Sequence, residues 1–238
     1  MRASGADLGL RVVEAESLYD RFVTAVDDAA EAAILNVLRD AGSDRTWVID
    51  AIDGTTNLVL GDPYVGVTLA LVERGEPLVA ATGCPFTGEI WSAALGCGAF
   101  DFEGRRLGLS HRPPESRRIA LDPASPPPPQ RAVWESARDR IAETFAEVVL
   151  RASIALALAH VASGEFDGFV QIGGSPVEDF AAGTLLVREA GGLVTGLDGQ
   201  AAPWGASVVI AGPPRTHREL QQALSGVSLR DDGSSPSR

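Results

Sequence analysis

An apolar run that breaks abruptly into a turn of small residues constrains this chain more than any other segment: Trp47-Val48-Ile49-Asp50-Ala51-Ile52-Asp53-Gly54-Thr55-Thr56-Asn57. The first half reads as a buried strand and the second as a turn, with two carboxylates three positions apart at the break. Hard cations such as Mg²⁺ favour carboxylate and carbonyl oxygens, and a Gly-Thr-Thr turn aims backbone N–H groups and hydroxyls at a phosphate. The same residue types also end strands and cap helices, so Asp-x-x-Asp-Gly by itself leaves an ordinary turn open.

The eleven-residue string is longer than a turn requires. It resembles the first signature of the inositol monophosphatase family, Trp-Val/Ile-Ile-Asp-Pro-Ile/Leu-Asp-Gly-Thr-Thr-Asn, with Ala51 in the place of the proline. A second segment, Glu178-Asp179-Phe180-Ala181-Ala182-Gly183 followed by Glu189-Ala190-Gly191-Gly192, is similar to that family's Trp-Asp-x-Ala-Ala-Gly and Glu-Ala-Gly-Gly pair. Val23-Thr24-Ala25-Val26-Asp27 resembles its Val-Thr-x-x-Asp, although Thr-x-x-Asp alone also starts helices. The resemblance spans roughly residues 8 to 225. It departs at one point: relatives carry a Gly-Glu-Glu segment, one glutamate of which ligates the catalytic metal, between the Val-Thr-x-x-Asp and Trp-Val-Ile-Asp elements. Here the chain passes from Asp27 through one helix to Asp50 and leaves no room for it.

Composition narrows the classes of partner. The net charge of −12 excludes binding to nucleic acid or anionic membrane through a basic patch, since no such patch is written in the sequence. Every basic side chain other than histidine is arginine, which removes any P-loop or Schiff-base lysine and leaves a metal or Arg to neutralise phosphate. Cys84 and Cys97 stand in strand-like surroundings, where a disulfide is open but reduced, buried thiols are expected. The N-terminus has early acidic residues and no basic region followed by an apolar core, and no apolar run is long enough to span a bilayer, so a cytoplasmic protein is expected.

Along the chain, residues 6–22 and 28–41 read as helices, the second opened by a capping box at Asp28 and Glu31. Strands are expected at Thr46–Asp50, Val65–Val72, Leu78–Gly83 and Ile90–Ala94, in an antiparallel meander, and Gly96-Cys97-Gly98-Ala99-Phe100 as a structural turn between strands. Residues 112–130 hold seven prolines and read as a linker. Beyond it helices and strands alternate: helices near 132–142, 153–163, from Asp179 and over 214–224, strands near 145–150, 167–171, 193–196 and 207–211. This gives an N-terminal half over 1–111, the linker 112–130, a C-terminal α/β half over 131–227 and a disordered tail over 228–238. The resemblance implies an α/β (α+β) chain with the layered α/β/α/β/α sugar-phosphatase fold, its N-terminal part trimmed and its site between the halves.

The resemblance also implies roles. Asp50, the Ile52 carbonyl, Asp53 and Asp179 would hold Mg²⁺, the number of ions being open; Gly54 and Thr55 would receive the phosphate; Asp27 and Thr55 would orient the attacking water. On the substrate side, Asp53, Asp179, Ser153 and Gln171 are candidates, Gln171 standing where relatives often use Glu, and Ser153 reading equally as a helix N-cap. Glu178 replaces the family's Trp and either adds charge to the site or faces solvent; Asp28, Glu31 and Asp44 are further carboxylates that sequence cannot place. His111, His160 and His217 lack ligand spacing and are expected to be structural. The implied function is a metal-dependent phosphate monoester hydrolase acting on a small sugar, inositol or polyol phosphate, working as a homodimer with a small phosphorylated metabolite as partner and neither nucleic acid nor membrane. The missing Gly-Glu-Glu segment leaves two alternatives: a pseudo-phosphatase that binds without hydrolysis, and a specialised-metabolism enzyme with non-hydrolytic chemistry.

Overall fold

A computed structural model describes residues 30, 34, 45–123, 130–174, 177–201 and 206–227. The expected helix over 6–22, the capping box at Asp28 and Glu31, Asp44 and the tail over 228–238 lie outside the described residues. Of the expected second helix, Ala30 and Ile34 are described; both are helical and pack on Ala51, Ile52 and Val65.

The first sheet is the expected antiparallel meander, with strands β1 (Arg45–Asp53), β2 (Gly66–Glu73), β3 (Glu76–Cys84), β4 (Glu89–Ala94) and β5 (Gly98–Asp101) in sequence order. A short helix, α1 (Thr55–Leu60), leaves the end of β1. One face of this sheet carries Ala70, Ala80, Ala93 and Ala99, all essentially buried, and these small side chains let a helix lie close against it. That helix is α4 (Val177–Glu189), which crosses β1 to β5 and also contacts α3 (Ile154–Ala162). All nine residues of α3 are buried, as a helix apolar on every side must be when it lies between two sheets.

The second sheet has the order β7-β6-β8-β10-β9, built from β6 (Arg118–Leu121), β7 (Glu147–Leu150), β8 (Gly168–Ile172), β9 (Leu193–Gly196) and β10 (Val208–Gly212). β6 runs parallel to β7 and β8, and β10 antiparallel to β8 and β9. Strand alternation sorts its two faces: Ala120, Phe169, Val209 and Ala211 join the core shared with α3, α4 and the first sheet. Ile119, Leu121, Val170, Ile172, Val208 and Ile210 pack outward against α2 (Gln130–Thr144) and α5 (Pro214–Ala223). Among the described residues the layers are therefore sheet, helix pair, sheet, helix pair, in agreement with the α/β/α/β/α order expected, and Ala30 and Ile34 are the described part of the remaining helical layer. One apolar core runs through both halves of the chain.

Three expectations need correction. The Pro-rich stretch 112–130 is not only a linker, because β6 lies inside it as an internal strand of the second sheet. Pro113 and Pro114 precede β6 and Pro123 follows it, so the eight residues between carry every backbone N–H that the sheet requires. The approach to β6 is also pinned: buried Asp167 accepts hydrogen bonds from the Ser110 hydroxyl, from Arg112 Nη1 at 3.1 Å and from the Arg118 N–H at 2.8 Å. Second, β1 continues three residues past Asp50, to Asp53. Third, of the two free thiols only Cys84 is buried; Cys97 sits exposed in the β4–β5 turn.

Two glycine-bearing motifs are architectural, the first as expected. The Glu189 carboxylate accepts from the Gly96 and Gly98 N–H groups at 2.8 and 2.7 Å, fastening the β4–β5 turn to the end of α4. Gly183, within Ala181-Ala182-Gly183, marks the closest approach of α4 to α3: a Cβ there would stand 2.5 Å from Leu158 Cδ1 and 2.6 Å from Leu158 Cβ. Gly183→Ala is therefore expected to destabilise the fold by about 1–3 kcal/mol despite the helix-propensity gain. Urea unfolding measures this, and an unchanged midpoint would show that α3 and α4 can part without penalty.

Candidate functional site

Regular strand geometry would put Asp50 and Asp53 on opposite faces of β1, because side chains alternate and the two lie three residues apart. The register with β2 shows why they do not. Asp50 pairs with Thr68 but Asp53 with Gly66, so β1 carries one more residue than its partner across this interval, a β-bulge. The Ile52 N–H turns back to Asp50 Oδ1 at 2.9 Å. The bulge brings both carboxylates to one side at the strand end, and Asp179, in the first turn of α4, meets them there. One oxygen of each of the three lies within 4.8 Å of the others.

The turn after Asp53 is held by its own polar groups. Gly54 adopts φ +96°, and a Cβ on it would meet the carbonyl oxygens of Tyr64 and Ala152 at 3.0 Å each, so no other residue fits without strain. Asn57 Nδ2 donates to the same two carbonyls at 2.7 and 3.3 Å, tying this turn to the segment before α3. The Thr55 hydroxyl donates to the Ile52 carbonyl at 3.1 Å, which leaves that oxygen a second lone pair. Ser153 caps α3, accepting from the Leu156 N–H at 3.3 Å, and donates to Asp53 Oδ2 at 2.5 Å.

Two of the three carboxyls hold their protons well above the ordinary carboxylate range. Burial, then the neighbouring Asp50 charge, pushes the Asp53 carboxyl up to about 7, against the hydrogen bonds from Ser153 and the α3 N–H groups that favour its ionised form. Burial, then Asp53 and Asp50, pushes Asp179 up to about 9; Asp179 also shares a hydrogen bond with Asp50 and feels Glu178 beside it. With Asp50 beside these two carboxyls, one oxygen from each gives a donor set that fits a hard divalent cation.

Of the other expected site residues, Asp27 lies outside the described residues. Gln171 is buried on β8, on the inner face it shares with Phe169; its Nε2 donates to the Gly174 carbonyl at 3.1 Å and its Oε1 has no partner, so its side chain hydrogen bonds none of the cluster. Glu178 belongs to the first turn of α4 beside Asp179 and is not one of the three converging ligands. His160 and His217 are structural, as expected: His160 Nδ1 is 3.0 Å from the Tyr64 hydroxyl among Trp91 and Phe166, and His217 Nε2 is 2.9 Å from the Thr195 hydroxyl. Sequence reasoning missed the tie from Ala155, whose N–H donates to Asp53 Oδ2 at 2.7 Å. A backbone donor leaves no signature in residue type.

Comparison with known proteins agrees with this architecture. The model of the inositol monophosphatase family matches residues 7–228. The chain belongs to the inositol monophosphatase family. Among its relatives, the Nus factor SuhB of Escherichia coli K12 is 35% identical over 217 residues, covering 84% of this chain and 80% of the relative. The solved structure of the extragenic suppressor protein suhB from Bartonella henselae superposes with TM-score 0.79 at 29% identity, covering 87% of this chain and 86% of that one. An inositol monophosphatase from Thermotoga maritima gives TM-score 0.79 at 28% identity, covering 92% and 90%. The family is metal-dependent, and the carboxylate cluster supplies donors for a metal ion.

The raised carboxyls have a signed consequence for this family member. A carboxyl whose folded pKa lies above its unfolded value of about 3.9 favours the fold at low pH and loses that contribution as pH climbs through the folded value. Metal-free protein should therefore lose stability progressively as pH rises above the unfolded value, the loss from Asp53 ending at about 7 and that from Asp179 at about 9. Asp179→Asn makes the decline shallower and ends it near 7 instead of 9. Melting temperatures in EDTA from pH 5 to 9 test this, and curves that coincide for wild type and Asp179→Asn would contradict it.

Proposed function

We propose that this protein is a metal-dependent phosphate monoester hydrolase acting on a small sugar, inositol or polyol phosphate. The observation that carries the reading is the convergence of Asp50, Asp53 and Asp179, from two elements distant in the chain, within 4.8 Å beside a glycine turn and at the junction of the two halves. Family membership supports a phosphorylated small molecule as substrate. The net charge of −12 makes a cation, not the protein surface, the attractor for phosphate.

Asp50, Asp53, Asp179 and the Ile52 carbonyl are the groups that would hold Mg²⁺. When bound, such cations neutralise phosphoryl oxygens, lower the pKa of a water and stabilise the leaving alkoxide. The protein's own part is placement. Gly54 and Thr55 open α1, where first-turn N–H groups lack intrahelical acceptors and can receive phosphate oxygens. The Thr55 hydroxyl, anchored on the Ile52 carbonyl, is the residue to orient the attacking water together with Asp27. Gln171, whose buried Oε1 lacks a donor, offers an acceptor to a substrate hydroxyl. The working form proposed is a homodimer, as the family resemblance implies.

A second reading has its own support: the Gly-Glu-Glu segment is absent, and relatives 35% identical carry the name Nus factor. In it, the fold and cation site serve binding to a partner without turnover. The two readings part on one assay. Incubated with Mg²⁺ and a panel of inositol, sugar and polyol monophosphates, the protein is expected to release inorganic phosphate; EDTA stops release, and Asp53→Asn lowers kcat/KM at least about a hundredfold. Cation-induced stabilisation with no phosphate released from any member of the panel would favour the second reading.

A further inference from the structure

Ser153 does more than cap a helix. Its hydroxyl accepts from the Leu156 N–H, the bond an N-cap needs, and spends its single proton on Asp53 Oδ2, one hundred positions away in the chain. The Ala155 N–H donates to the same oxygen at 2.7 Å, so Oδ2 of Asp53 receives two donors from the start of α3. Ser153 is fully buried, and water cannot replace its hydroxyl without displacing packed atoms. Nothing in capping requires the second bond, since an N-cap works through its acceptor alone.

We propose that Ser153 is a positioning residue for Asp53: with the Ala155 N–H it fixes the rotation of the carboxylate and thereby sets the affinity of the Asp50–Asp53–Asp179 cluster for a divalent cation. This rests on the metal-dependent reading above. Charge-assisted bonds from a hydroxyl and an N–H to one carboxylate oxygen are stronger than neutral ones and remove its rotational freedom. Groups that orient a metal ligand in this way typically govern about 10–100-fold in affinity. The helix that supplies both donors belongs to the C-terminal half, whereas Asp53 ends β1 in the N-terminal half, so the same bonds hold the halves in register at the site.

The test separates positioning from capping. Glycine is a good N-cap and costs only a few tenths of a kcal/mol there, so Ser153→Gly deletes the hydroxyl while leaving α3 stable; Ser153→Thr keeps the hydroxyl, and Ser153→Ala removes hydroxyl and cap together. Mn²⁺ is titrated into each full-length protein, free Mn²⁺ is read by electron paramagnetic resonance, and melting temperature is recorded in EDTA. The proposal predicts that Ser153→Gly and Ser153→Ala bind Mn²⁺ about 10–100-fold more weakly while Ser153→Thr stays within about threefold of wild type. If Ser153→Gly binds as wild type does and only the EDTA melting temperature of Ser153→Ala falls, Ser153 is a cap alone and the proposal is overturned, with the metal reading intact. Wild-type protein that takes up no Mn²⁺ overturns the metal reading and this proposal with it.

Discussion

Side chains of a regular strand alternate, so two carboxylates three residues apart cannot reach the same ion. The bulge between Asp50 and Asp53 removes that obstacle by adding one residue to β1 against β2, and the rest of the site depends on it. With both carboxylates on one side, the strand can end in Gly54, the chain can turn into α1, and the first turn of α4 can bring Asp179 into the same space. A slip of one residue in β1 would return Asp50 or Asp53 to the opposite face. The surrounding fold makes such a slip costly: Ala51, Ile52 and Val65 are buried around the bulge, and Asn57 fastens the following turn to the carbonyls of Tyr64 and Ala152.

Assembling three carboxylates in a buried place works against folding. The sandwich meets this by recruiting both halves of the chain. α3 and α4 lie between the sheets, buried over Ile154–Ala162 and over residues 180–187, and meet at Gly183 and Leu158 closely enough that their N-terminal ends come to the same junction. The start of α3 donates to Asp53, and the start of α4 carries Asp179. Positive helix ends aimed at acidic groups offset part of the repulsion. Burial and the remaining repulsion hold the Asp53 and Asp179 carboxyls above their ordinary range, a cost that a bound divalent cation would offset.

Much of this was legible in the sequence, and what was not has identifiable causes. The meander and the alternating second half follow from periodicity, Asp50 and Asp53 stand out at the break of a strand into a turn, and Asp179 is marked by the resemblance of its segment to the family motif. The bulge does not, since Asp50-Ala51-Ile52-Asp53 reads the same whether or not one residue is extra; only pairing with Thr68 and Gly66 reveals it. β6 was hidden by proline density around it, because a count over 112–130 obscures the proline-free octet between Pro114 and Pro123. The exposure of Cys97 follows from its place at a turn rather than from its residue type. Glu189-Ala190-Gly191-Gly192 and Gly96-Cys97-Gly98 were visible as motifs, but their mutual bond through Glu189 joins segments far apart in sequence and only the fold discloses it.

β1 and α4 place three aspartates around one cation-sized space. Crystals grown with Mn²⁺ and measured at the manganese absorption edge address it directly. An anomalous peak within bonding distance of oxygens from Asp50, Asp53 and Asp179 is the predicted result. Crystals soaked to saturation with no peak there, or with the three side chains turned apart, would contradict it.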